Sequence, residues 1–115
     1  MALGVIRRGD IHLVNFSPAR ENEADNIRPA VIVTNNAANA QNVVLTVIPL
    51  TTNTERVYQF QLLLPHERSG LDHDSKAQVE QIRSVALSRV RKRIGHVPAD
   101  LMGELDARIR LHLAL

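Results

Sequence analysis

Arg28 stands immediately before Pro29, after a polar run from Asn22 to Ile27 and ahead of the apolar run Ala30 to Val33. A proline pushes the residue before it into extended geometry. Arg28 is therefore expected where loop becomes fixed strand, a better anion-holding position than a loop tip. Its guanidinium fork matches two phosphate oxygens at once. Companions of the right type are spread along the chain: Glu23 on the same loop, Thr51 and Thr52 after the apolar run Val43 to Leu50, and Glu80, Gln81 and Arg83 further on. If strand ends bring these together, they make an arginine-rich, hydroxyl-lined pocket with no need of a metal, suited to phosphodiester chemistry, in which fixed donors meet charge developing at phosphorus.

Other chemistries lack their residues. The chain has no cysteine, which removes disulfides and thiolate nucleophiles. Its five histidines are scattered, and the one tight cluster, Asp72-His73-Asp74, reads better as a polar hairpin tip than as metal ligands. No glycine-rich phosphate loop or nucleophile elbow is present. Each candidate also has a plainer reading. Glu80 and Arg83 suit an exposed pair of little energetic weight, Thr51 and Thr52 a strand cap, and Arg28 alone a surface arginine. The basic run Arg89 to Arg93 reads as a solvated turn before it reads as a nucleic-acid patch.

The elements that must position these residues are short. Strands are expected over Ile11 to Phe16, with Arg8-Gly9-Asp10 as a turn rather than an adhesion signal, and over Ala30 to Asn35, Val43 to Leu50, Tyr58 to Leu64, Lys76 to Val85 and Lys92 to Val97. In the fourth, Tyr58, Phe60, Leu62 and Leu64 would point inward. The fifth would carry Val79, Gln81, Arg83 and Val85 on one face and Glu80 on the other. Asn36 to Asn42 suits a helical turn or a loop, Ala86 to Val90 a single helical turn, and Pro65 to Asp74 a second polar loop hinged at Gly70. After Pro98 the period changes: Leu101, Leu105, Ile109 and Leu113 form one helical stripe. Strands at short spacing followed by a terminal helix predict a mainly β, α+β fold, a small, strongly curved antiparallel sheet or barrel carrying short helices and a C-terminal helix.

At 115 residues the chain is expected to form one domain spanning 1–115. Aromatics make up 3% and tryptophan is absent, so the core must be aliphatic. A formal charge of +2 permits a polyanionic partner without requiring one. No apolar run reaches membrane-spanning length, and the first residues place charge after a short apolar stretch, the wrong order for a secretory signal. A cytoplasmic protein without a membrane partner is expected.

The ordered set of motifs resembles the MazF/PemK (Kid) toxins of bacterial type II toxin–antitoxin systems. It comprises Arg8-Gly9-Asp10-Ile11; Pro18 and Glu23; Arg28-Pro29-Ala-Val-Ile-Val with Asn35; Val47-Ile-Pro-Leu-Thr51-Thr52-Asn53; Gly70-Leu71 before Asp74-Ser75; Glu80-Gln81-Ile82-Arg83; and the ending Leu111-His-Leu-Ala-Leu. The resemblance implies an SH3-like barrel, a homodimer, and sequence-specific cleavage of single-stranded RNA with no cofactor. It also implies an antitoxin partner whose acidic, disordered C-terminal tail covers the dimer groove, with DNA met only through the antitoxin complex. Carried over residue by residue, it makes Arg28 and Thr51 catalytic and Glu23 the loop glutamate. Asn22, Thr52, Asn53, Glu80, Gln81 and Arg83 become the expected RNA contacts. The reaction implied is attack by the RNA's own 2′-hydroxyl, leaving a 2′,3′-cyclic phosphate and a 5′-hydroxyl. With a pKa above about 12, a guanidinium is a poor base at neutral pH; Arg28 suits the clamp and Glu23 the base. The approach Ala24-Asp25-Asn26-Ile27 departs from the usual glycine-rich form, which bears on the RNA sequence recognised rather than on the chemistry. A gyrase-poisoning toxin of the same fold (CcdB-like) would act through a Trp-containing C-terminus, absent here. A catalytically silent, antitoxin-binding autoregulatory module is the third alternative.

Overall fold

The computed structural model describes residues 4–16, 27–41 and 43–115. Its strands are β1 (Asp10–Asn15), β2 (Ile27–Ile32), β3 (Val44–Thr51), β4 (Leu62–Leu64), β5 (Ser75–Ala77), β6 (Arg83–Ala86) and β7 (Val90–His96). Helices are α1 (Asn36–Gln41), α2 (His66–Ser69) and α3 (Ala99–Leu113), with 3₁₀ turns at Val79–Gln81 and Leu87–Arg89. Every recorded strand pair is antiparallel, in the order β4-β5-β3-β2-β1-β7, with β6 also on β3. The sheet curls, and α3 closes one side.

The Ala30–Ile32 half of β2 and most of β3 are apolar because both of their faces are covered. Ala30, Ile32, Leu45 and Val47 face one cluster with Val14, Phe16, Val85 and Val90. Val31, Ile48 and Leu50 face a second with Leu62, Leu64, Val79, Leu101 and Leu105. Leu101 and Leu105 are buried against the sheet, with Ile109 partly so; the stripe then leaves the protein, since Leu113 is exposed.

The Arg8-Gly9-Asp10 tripeptide is a turn whose charges are committed inward. Gly9 takes φ 96°, which favours glycine. Asp10 is buried beside Arg93 and His96 on β7, and Arg8 pairs with Asp106 of α3. A tight approach fixes Gly95 of β7: a Cβ there would lie 2.5 Å from the Ser69 carbonyl oxygen.

Two expected strands are corrected. From Tyr58 to Leu64 only Leu62–Leu64 pairs; Tyr58 is exposed, and Tyr58 to Gln61 form a turn closed by Gln61 N–H donating to Tyr58 O at 2.8 Å. Lys76 to Val85 is not one strand. β5 meets β3 at Leu50↔Ala77 and β6 meets it at Val47↔Arg83, so the outer segment carries three more residues than β3 between these pairs. The surplus is taken up by the Val79–Gln81 turn. An odd surplus reverses facing, which is why Val79 and Val85, on one face by period-two counting, enter opposite clusters.

Candidate functional site

Thr51 ends β3 and pairs with Lys76 of β5. On the other side of β3, β2 pairs as Ala30↔Pro49, Val31↔Ile48 and Ile32↔Val47. Continuing that register two residues places Arg28 opposite Thr51. Pro29 can add no ladder hydrogen bond there, yet β2 stays extended because Arg28 is held on β1 opposite Val14. Directly opposed residues share a sheet face, so Thr51 and its partner Lys76 share one, and the continued register puts Arg28 on that face too. Arg28 is exposed, and among the described residues no carboxylate pairs with it.

Arg83, opposite Val47, lies on the same face as Thr51, with its guanidinium 5.3 Å from the Phe16 ring centroid. Thr51 is half-buried. Its hydroxyl oxygen accepts the Asn53 N–H at 3.3 Å, which leaves the hydroxyl hydrogen to donate outward. Asn53 Oδ1 in turn accepts the Glu55 N–H at 3.3 Å, and both Thr52 and Asn53 are exposed beside Thr51.

Lys76 is the partner that sequence reasoning missed. It is buried, its ammonium donates to the Arg56 carbonyl, and it lies 6.0 Å from the Tyr58 ring centroid. Nothing in the sequence distinguishes it from a surface lysine; its place follows from the β3–β5 register.

Glu80 and Gln81 are carried by the 3₁₀ turn rather than a strand, so neither has a fixed sheet face. Gln81 is exposed. Both carboxylate oxygens of Glu80 accept from Gln61 Nε2, at 3.1 and 2.9 Å. Gln61 is buried and also accepts the Tyr58 N–H on its side-chain oxygen and Arg108 Nε on its carbonyl. Glu80 thus holds Gln61, which in turn ties the Tyr58 turn to Arg108 of α3. Asn22 and Glu23 lie outside the described residues.

The loop before β5 is built, not loose. Asp74 Oδ1 accepts both the backbone N–H and Nδ1–H of His66, which raises the His66 pKa and lowers that of Asp74. Gly70 ends α2 at φ 82°, and Arg68 reaches Asp100 at the start of α3, holding that carboxyl below its ordinary range. Among the described residues no three His, Asp or Glu side chains converge as metal ligands, and no described helix is long and apolar enough to cross a membrane.

A family model described as PemK-like, MazF-like toxin of type II toxin–antitoxin system matches residues 7–113. The protein named endoribonuclease MazF9, from Mycobacterium tuberculosis, is 47% identical over an alignment covering 96% of this chain and 98% of that one. In fold, the chain is similar to a MazE–MazF crystal structure from Deinococcus radiodurans, with a TM-score of 0.81 at 24% identity, covering 96% of this chain and 97% of that one. It is also similar to an endoribonuclease in complex with its cognate antitoxin from a mycobacterial species, with a TM-score of 0.76 at 17% identity, covering 97% and 96%. Motif order, sheet topology and these matches agree over nearly the whole length: the chain belongs to the PemK-like, MazF-like toxins of type II toxin–antitoxin systems.

Proposed function

We propose that this chain is the endoribonuclease of a toxin–antitoxin pair and cuts single-stranded RNA by internal attack of the 2′-hydroxyl, without a metal. The observation that carries this reading is Thr51 at the end of β3, paired with Lys76 and in line with the exposed Arg28 on the continued β2 register. The 2′-oxygen bonds to the adjacent phosphorus as its proton passes to a base, for which Glu23 is the candidate. The bond to the 5′-oxygen breaks, and that oxygen takes up a proton. Negative charge grows on the non-bridging oxygens, where the Arg28 fork and the Thr51 hydroxyl would hold it. Arg83, Asn22, Thr52, Asn53 and Gln81 would contact the strand. Glu80 keeps its proposed place near RNA chiefly through the turn it braces.

The relatives solved with antitoxins support an antitoxin as the protein partner; an acidic segment of it would compete with RNA for the same cations. For self-association, the supporting feature is a concavity of about 1250 Å³ at the opposite end of β3 from Thr51, whose lining includes the exposed Val5, Val43, Val44 and Leu87. Growth arrest on expression in a bacterial host, with blocked translation, is the expected consequence.

The test is cleavage of a defined RNA whose scissile nucleotide is ribo or 2′-deoxy, with and without chelator. The ribo strand should be cut in both conditions and the 2′-deoxy strand in neither. Cutting of the 2′-deoxy strand would overturn the mechanism, and loss of ribo cleavage with chelator would overturn its metal independence. Arg28→Ala should abolish cutting while the protein stays folded.

A further inference from the structure

Two of the three aromatic residues in this chain, Tyr58 and Phe60, lie together at the protein surface instead of in the core. Their rings are parallel, with centroids 5.6 Å apart and an interplanar angle of 4°. His112, near the end of α3, continues the series 6.0 Å from Phe60 at 34°. These three residues, with Gln59 and Leu111, line a concavity of about 400 Å³. Burial does not explain the arrangement, because Tyr58 is 47% exposed and Leu111 50% exposed.

The surroundings are cationic. The Arg56 guanidinium lies 5.6 Å from the Tyr58 ring centroid and donates to the Tyr58 hydroxyl, while Lys76 reaches the same ring from the position opposite Thr51. A single lysine side chain therefore links the aromatic group to the face that carries Thr51. Aromatic faces beside positive charge, next to a site for a polyanionic strand, fit an unpaired nucleobase: the base stacks while the cations track its backbone.

Resting on the RNA-cleaving reading, we propose that the Tyr58–Phe60–His112 group is a base-stacking subsite, which takes one nucleobase flanking the scissile bond. The Gln61–Glu80 contact acts here as positioning, since Gln61 accepts the Tyr58 N–H and so sets the turn that presents both rings.

The test pairs a Tyr58→Leu/Phe60→Leu variant with an abasic scan of a short RNA made uncleavable by 2′-deoxy substitution at the scissile nucleotide. Stacking by one base is worth roughly 5- to 150-fold in affinity. The expected result is that loss of the base at one flanking position weakens wild-type binding by a factor in this range. The variant should lose the same factor on the intact strand and be indifferent to that base. Tyr58→Phe, which keeps the ring, should bind as wild type does, and a melting profile like that of wild type certifies each variant as folded. If the variant remains as sensitive as wild type to every abasic position, the subsite is refuted. If the variant binds RNA like wild type but loses an acidic antitoxin peptide, the surface belongs to the peptide and the proposal falls. Failure of wild type to cut the ribo strand is a different result, which overturns the nuclease reading instead.

Discussion

Glu80→Ala separates a residue that touches RNA from one that braces the site. In the structure the Glu80 carboxylate receives both of its hydrogen bonds from Gln61 Nε2, and Gln61 is 3% exposed. Truncation leaves a buried amide without its charged acceptor, a loss of about 1–3 kcal/mol. Glu80 is itself only half-buried, so water entering the gap keeps the cost toward the lower part of that range. Unfolding entropy of about 2.1 cal/mol/K per residue makes the value for this chain about 0.24 kcal/mol/K, so the melting point should fall by roughly 4–8 °C. The assay is thermal and urea denaturation of wild type, Glu80→Ala, Gln61→Met and the double variant at one protein concentration. With Gln61 already replaced, Glu80→Ala should cost no more than about 0.5 kcal/mol, because the donor it served is gone. A Glu80→Ala protein that melts with wild type yet binds RNA poorly would refute the bracing role and restore Glu80 as a direct contact.

Thr51→Val, nearly isosteric, should lower cleavage about 10²- to 10³-fold with folding retained, while Thr51→Ser recovers much of the rate; equal rates for Val and wild type would remove the hydroxyl from the reaction. Gly95→Ala should destabilise by about 1–3 kcal/mol in urea denaturation, because its Cβ would sit 2.5 Å from the Ser69 carbonyl oxygen and α2 must shift. His66 should titrate above its ordinary pKa by NMR, its raised value coming from the Asp74 hydrogen bond, and should move back down in Asp74→Asn. The contribution of the raised His66 is fully present below its unfolded pKa and is lost as pH rises through the folded value, whereas that of the lowered Asp74 is lost as pH falls through its own. The pair therefore helps most between those two values. Val44→Asp, in the concavity at the start of β3, should convert a dimer to a monomer by light scattering, and an unchanged mass would place self-association elsewhere.

Much of the architecture was legible in order along the chain. The continuous β-branched runs of β2 and β3 marked strands covered on both faces, the four-residue spacing after Pro98 marked α3, and Arg28-Pro29 marked the passage from loop to strand. These signals are local: a proline restricts its neighbour and a periodic stripe needs only its own helix. The Tyr58 to Leu64 pattern failed for the same reason, since alternation records facing only while a strand persists, and here Tyr58 to Gln61 form a turn.

Residue types, the absence of thiols, the order of motifs and the position of Arg28 were determined by the sequence itself. The tertiary structure decided which of those residues meet. Three surplus residues opposite β3 lifted Glu80 and Gln81 out of the sheet, reversed the facing of β6 and so brought Arg83 to the side of Thr51. Pairing across β3 likewise brought the unremarkable Lys76 beside Thr51 and set Tyr58 over its ammonium. Such placements depend on register between strands far apart in the chain, and a one-residue slip would send each side chain to the opposite face.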